Sequence, residues 1–284
     1  MSSVRAYLEL ARWPNAVMAG LGVIVGARVE QGAVPYAFPP PLLAAIGAAL
    51  ALTATANAWN DAADVAIDRV AHPERPLPRG ALGAGSARWF ALVAAAAGIA
   101  LAFAANRSLG PLSIIVVAAM LAYSRWFKTR PVLGNAIVAV LASLPFLYGG
   151  LAVGEGSRAA ALALLAFFLH FAREVAKDLV DMPADAGARR TIPVAFGAGG
   201  AKLAALAMLA LFLWTAAATF AANAWAVAAF LLVAALLLAA ALEIRRDSAA
   251  APRTLKMAMF LAMLCVLALN DSGHLVFRTF PAAA

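Results

Sequence analysis

Apolar and polar positions fall into long blocks along this chain rather than into short periods. Runs of mostly apolar residues recur nine times, at about 15–34, 41–60, 88–105, 109–124, 132–152, 159–178, 200–221, 224–243 and 256–277. A helix needs about 20 such residues to cross the hydrocarbon core of a bilayer. The pattern therefore predicts an all-α, polytopic membrane protein, a bundle of nine transmembrane helices. Many runs are rich in alanine, and small residues let membrane helices pack closely. No stretch between spans is long enough for a soluble domain, so residues 1–284 are expected to form one transmembrane domain. Arg12-Trp13-Pro14 precedes the first run without a small-residue cleavage site, so no cleavable leader is expected.

Composition supports the blocks. The chain is 65% hydrophobic and 13% charged, with a mean hydropathy of +0.88. The net charge of +8 would suggest a nucleic-acid partner in a soluble protein. Here the basic residues sit in short loops, so membrane topology accounts for them and no nucleic-acid partner is expected. Alternate loops carry eighteen Lys and Arg on one side and four (Arg28, Arg107, Arg158, Arg278) on the other. By the positive-inside rule the first side is cytoplasmic. The N-terminus and the polar loops are then expected inside an inner, cytoplasmic membrane and the C-terminus outside. Cys265 is the single cysteine, so no internal disulfide forms.

Two polar islands interrupt the pattern. In the first, Asn57 to Gly80, the residues Asn60, Asp61, Asp64 and Asp68 fall within roughly a 100° arc of one helix face. Carboxylates gathered this way repel unless a cation sits among them, and an all-oxygen set suits Mg²⁺ shared with substrate phosphates. His72-Pro73 ends the helix, and Arg75 to Gly80 reads as an extended basic loop whose arginines can take phosphate oxygens. In the second island, Glu174, Asp178, Asp181 and Asp185 lie within roughly 60° of one another on an ideal helix. Pro183 is expected to interrupt that helix and put Asp185 in a loop. Arg173 and Lys177 flank the stripe, and Arg189-Arg190 follow it. Eight of the fourteen acidic residues lie in these two islands, both on the basic side.

Two acidic stripes trailed by arginines make a pair of Mg²⁺ sites around one diphosphate. The metal donors would be Asn60, Asp61, Asp64, Asp68, Asp178, Asp181 and Asp185. The competing reading is an internal network of Arg173 and Lys177 with Glu174, Asp181 and the first stripe. A third patch, Tyr123 to Arg130, follows the fourth span. Lys128 or Arg130 can neutralise a departing diphosphate and Tyr123 can donate to it. An ordinary positive-inside loop with aromatic residues at the membrane surface competes with that reading. His72, His170 and His274 are too scattered for a metal site. Asn270-Asp271 reads as an interfacial cap at the outer end of the last span.

Together these stretches resemble the UbiA superfamily of intramembrane prenyltransferases. NDAADVAID with RPLPRG, YSRWFK with GN, and KDLVDMPAD with RRTIP occur in the family's order. Asn60, Asp64 and Asp68 match its first motif, Asp181 and Asp185 its second, and Tyr123 and Lys128 its loop motif. Asn15 resembles the polar position that opens the family's first helix. The resemblance implies nine helices around a central cavity and transfer of an isoprenyl chain from an allylic polyprenyl diphosphate. It implies Mg²⁺ bridging the Asp motifs to the diphosphate, a lipophilic acceptor, and a hydrophobic tunnel open to membrane lipid. Asp64, Asp68, Asp181, Asp185, Tyr123 and Lys128 would be catalytic. Asn15, Asn60, Arg75, Lys128, Lys177, Arg189 and Arg190 would hold the diphosphate.

Within the family the pattern is closest to the geranylgeranylglyceryl phosphate geranylgeranyltransferase branch. Aromatic prenyltransferases of the quinone, tocopherol and chlorophyll pathways are its neighbours, and the Asp motifs do not choose between them. Pro183-Ala184 stands where that branch usually has an acidic residue and a glycine. Two further alternatives differ in prediction. A cation-coupled secondary transporter would set its acidic residues at the midplane of broken helices. A phosphatidyltransferase would weave glycine and arginine between its aspartates, a pattern this chain lacks.

Overall fold

A computed structural model describes residues 3–277 apart from 33–37, 186, 188 and 222. The predicted Arg278 of the outer side and the C-terminal tail lie outside the described residues.

The blocks become helices. After a short α1 (Ser3–Leu10) come α2 (Trp13–Gln31), α3 (Pro40–Ala71), α4 (Ala84–Ala105) and α5 (Leu109–Ala122). A π-helical turn, Tyr123–Phe127, extends α5. Then follow α6 (Leu133–Val153), α7 (Ser157–Asp185), α8 (Ile192–Thr219), α9 (Ala224–Arg245) and α10 (Ala251–Asp271). Eight of these are long and apolar enough to cross a membrane by themselves. A ninth span is reached by counting α1 and α2 together, which meet at a 59° bend. Arg12, in the left-handed region at φ 49°, makes that bend. Among the described residues the sole β pairing is an isolated bridge between Phe220 and Phe277.

Two helices outrun the bilayer. At 1.5 Å per residue, α3 with its 32 residues and α7 with its 29 are about 48 Å and 43 Å long, against a core of about 30 Å. Their polar ends carry the two acidic islands. Two expectations need correction here. Helix α7 runs through Pro183 to Asp185 instead of breaking. Proline this close to a C-terminus forfeits one i−4 bond, to Leu179, and the last turn survives it. Helix α8 starts at Ile192, not near residue 200, and bends at Gly197, whose φ of 74° suits glycine.

Packing depends on small residues. A Cβ on Gly149 would collide with the Val23 carbonyl of α2, and one on Gly26 with the Phe146 carbonyl of α6, so these two backbones touch. Around that seam the interior divides. One apolar cluster joins α2 and α6 to α7–α10 through Leu165, Val175, Leu209, Leu237 and Leu255. Another joins α2 and α6 to α3–α5 through Leu42, Leu52, Leu109 and Tyr148. A third, with Leu10, Ala58, Leu77 and Ala87, seats α1 and the basic loop against the polar end of α3.

The far end of the bundle is tied by charge. Arg28 of α2, 3% exposed, meets Asp271 of α10 at 2.7 Å. Asn270 donates to the Arg28 carbonyl at 3.1 Å. Glu30 accepts from the Arg158 and Ala159 amides at 3.0 and 3.2 Å, capping α7. Asn270-Asp271 is thus more than an interfacial cap: it locks α10 to α2.

Candidate active site

Position around α3 decides what each of its four polar residues touches. On an ideal helix Asn60 and Asp64 lie about 40° apart, and Asp68 and Asp61 follow about 40° and 60° beyond Asp64. The first pair shares one cation and the second pair another. Lys128 Nζ donates to Asn60 Oδ1 at 2.9 Å and bonds the Asp64 carboxylate. Arg75 bonds Asp68 at 2.7 Å and reaches Asp61 at 3.7 Å. Arg12 then takes Asp61 at 2.6 Å. Asp61, Asp64 and Asp68 are 2%, 8% and 3% exposed, so these partners carry most of their solvation.

The end of α7 closes the other side. Arg189 lies 3.4 Å from Asp64 and 4.0 Å from Asp185, and so links the two islands. Its amide also donates to the Asp185 carbonyl at 2.9 Å. Because α7 continues through Pro183, Asp185 is held on the helix and buried. Burial pushes its carboxyl above the usual range, while Arg189 pulls the other way. Asp181, one turn back, is exposed.

Tyr123 and Lys128 arrive together through the π turn. The Lys128 amide bonds the Tyr123 carbonyl at 2.9 Å, an i→i+5 closure. An α-helix would set residues five apart at about 140° to one another, and the wider turn brings them toward one face. Tyr123 lies within electrostatic reach of Asp64, Arg189, Glu174 and Asp178. Burial and Arg189 push the Lys128 ammonium down, and Asp64 opposes them.

The structure thus brings together Asn60, Asp64, Asp68, Arg75, Tyr123, Lys128, Asp185 and Arg189. It does not gather every predicted residue with them. Asp61 is turned to Arg12. Asp178 accepts from Asn135 of α6 at 2.8 Å. Lys177 and Arg173 bond Glu174 at 3.2 and 2.7 Å, as the competing salt-bridge reading expected. Asn15 accepts from Lys256 of α10 at 3.0 Å. Arg190 is exposed. Sequence reasoning assigned no role to Arg12, Asn135 or Lys256. Arg12 and Lys256 were read as loop charges, and Asn135 was seen only beside Gly134.

The donors fit Mg²⁺. They are hard oxygens from two facing helices, with Asp64 and Asp185 already joined through Arg189. No three acidic or histidine side chains among the described residues close into a cage. That suits an ion that takes one or two carboxylates and substrate phosphates rather than a dedicated protein cage. An apolar cavity of about 210 Å³ between α8, α9 and α10, lined by Phe212, Phe230 and Cys265, lies toward the other end of the bundle.

Comparison with known proteins bears on the family and the fold. A sequence model of the UbiA prenyltransferase family matches residues 19–264. A digeranylgeranylglyceryl phosphate synthase of Methanopyrus kandleri is 40% identical over 203 residues, 69% of this chain and 71% of that protein. The enzyme of the same name from Thermococcus kodakarensis is 37% identical over 74% of this chain and 77% of its own. A solved structure concerning digeranylgeranylglyceryl phosphate synthase superposes with TM-score 0.77 at 22% identity, covering 96% of this chain and all of that one. A UbiA homologue from Archaeoglobus fulgidus bound to DMAPP and Mg²⁺ superposes with TM-score 0.74 at 22% identity, covering 94% and 98%. At those identities the two structures speak for the fold.

Proposed function

The chain belongs to the UbiA prenyltransferase family, and from that premise we propose that it transfers a geranylgeranyl chain from its allylic diphosphate to geranylgeranylglyceryl phosphate. The observation that carries the reading is the convergence on Asp64 of Lys128 and Arg189, two cations from separate loops, with Asp185 at the far side of Arg189. The relatives at 37–40% identity, named for this synthase, favour the lipid acceptor over an aromatic one.

Asn60, Asp64 and Asp68 on one side and Asp181 and Asp185 on the other would hold Mg²⁺. Bound there, the ion supplies neutralisation of the leaving diphosphate. Lys128, Arg189 and Arg75 then have phosphate oxygens as partners in place of carboxylates. The allylic C–O bond breaks with its electron pair going to the diphosphate, whose charge Lys128 and the Tyr123 hydroxyl stabilise. The acceptor hydroxyl oxygen attacks the allylic carbon and gives its proton to the departing diphosphate. Asp61 and Asp178, bonded to Arg12 and Asn135, position the cations and helices around them. Acidic residues at helix ends beside arginines, rather than at the midplane of broken helices, speak against a transporter.

In this reading the whole chain works as one transmembrane domain. The eighteen-to-four bias of basic residues supports a cytoplasmic N-terminus and cytoplasmic site loops. The test is product formation by purified protein in liposomes. Geranylgeranyl diphosphate is supplied with geranylgeranylglyceryl phosphate, 4-hydroxybenzoate, homogentisate or a naphthoate, with Mg²⁺ or with chelator, and read by mass spectrometry. The expected result is a chelator-sensitive adduct of the phosphate lipid alone. An adduct of an aromatic acceptor instead would overturn the acceptor, and no adduct with any of the four acceptors would overturn the reaction.

A further inference from the structure

A second basic cluster lies deeper than the first. Arg173 is about 7.5 Å further along α7 than Asp178 and about 18 Å from the Asp185 end. Its Nε is enclosed without a hydrogen-bond partner among the described residues, while its NH1 bonds Glu174. Lys177 uses the same carboxylate. Lys256, near the start of α10, meets a neutral oxygen, Oδ1 of Asn15 on α2. Arg173 is the charged group whose field reaches Lys256. Arg173 and Lys177 on α7 thus share Glu174, with Asp178 in reach of Lys177 and held by Asn135, while Lys256 on α10 has no carboxylate partner among the described residues.

Half-buried like charges are costly unless an anion accompanies them. Lys256 and the unpartnered edge of Arg173 lack one. Helices α2, α7 and α10, which carry Asn15, Arg173 and Lys256, pack pairwise on one another. Tyr123 lies within electrostatic reach of both Glu174, beside this cluster, and Asp64 of the first island. A phosphate monoester, carrying about −1.5 to −2 charges at neutral pH, matches two free cationic edges.

We infer that Asn15, Arg173 and Lys256 form the seat for the phosphate of the acceptor lipid, separate from the seat of the donor diphosphate. This rests on the reading of the acceptor as a phosphate-bearing lipid and adds to it a reason for selectivity. A neutral aromatic acceptor would leave Lys256 and Arg173 without an anion. The seat also gives Asn15 and Lys256 a place outside the donor machinery.

The test is binding without turnover, in detergent with chelator present. Geranylgeranylglyceryl phosphate and its dephosphorylated counterpart are titrated against wild type, Lys256→Gln and Lys256→Arg. Wild type is expected to bind the phosphate form at least about tenfold more tightly, as a charge-assisted hydrogen bond implies. Lys256→Gln should bring the two ligands within about threefold, and Lys256→Arg should restore most of the difference. Should Lys256→Gln fail to fold, Asn15→Ala serves in its place. Undiminished discrimination in these variants overturns the seat, as does equal binding of the two lipids by wild type. In a separate titration with Mg²⁺ in place of chelator and no acceptor, weakened binding of geranylgeranyl diphosphate by these variants, the phosphate lipid unaffected, overturns it as well and returns the cluster to the donor. Because the titration needs no transfer, its outcome is independent of whether the adduct of the proposed reaction forms.

Discussion

Asp61 and Asp64 stand three residues apart on α3, both buried, and face different partners. Asp64 meets Lys128 and Arg189, which come from two separate loops. Asp61 meets Arg12 at the bend between α1 and α2. Asp64→Asn keeps the shape and removes the charge, so transfer is expected to fall at least about 100-fold. Its unfolding midpoint should stay close to wild type. Asp61→Ala should do the reverse. Stranding Arg12 and loosening Arg75 is expected to cost about 1–3 kcal/mol in stability, with a smaller loss of turnover. Thermal unfolding and initial rates, measured on both variants, check the pair; Asp64→Asn turning over at the wild-type rate would refute the site. The spacing of Asn60, Asp64 and Asp68 was legible in the sequence because helical period alone sets it. The partner of Asp61 was not, because Arg12 lies 49 residues away.

At the scale of the helix, the seam between α2 and α6 depends on two glycines whose missing Cβ atoms let carbonyls approach. Gly149→Ala or Gly26→Ala would press a methyl into the opposing backbone, and backbone cannot yield as a side-chain tip does. Each is expected to destabilise the protein by about 2 kcal/mol or more. Gly85→Ala in α4, with no atom within 4 Å of the new Cβ, should be neutral or slightly stabilising. Unfolding midpoints in one detergent compare all three. Helix α7 offers a second check. Pro183→Ala restores the amide that Leu179 lacks without moving Asp185, so transfer should remain within about threefold of wild type. A collapse of activity would mean that the proline itself shapes the last turn. The sequence made Pro183 look like a break because proline forbids helix interiors; one turn from an end, the penalty is a single bond.

For the whole molecule, the charge asymmetry predicts a cytoplasmic N-terminus and cytoplasmic polar loops. In a Cys265→Ala background, Ser86→Cys and Ser157→Cys place single exposed thiols at opposite ends of the bundle. An impermeant maleimide is expected to label Ser157→Cys in right-side-out vesicles and to spare Ser86→Cys, and the opposite pattern would invert the topology. Hydrophobic length and loop charge are local quantities, so the chain by itself determined the membrane class, the order of the spans, and the end of the bundle where the acidic islands lie, while the polar extensions of α3 and α7 and the early start of α8 escaped it. The acidic stripes of α3 and α7 were legible for the same reason, since period and spacing are properties of one helix. What only the tertiary structure decided is which charges meet. Arg189 joins Asp64 to Asp185, Asn135 holds Asp178, and Lys256 finds Asn15 across 241 residues of sequence. Such pairs depend on how helices far apart in the chain are rotated and packed against one another, and no periodicity within a segment records that.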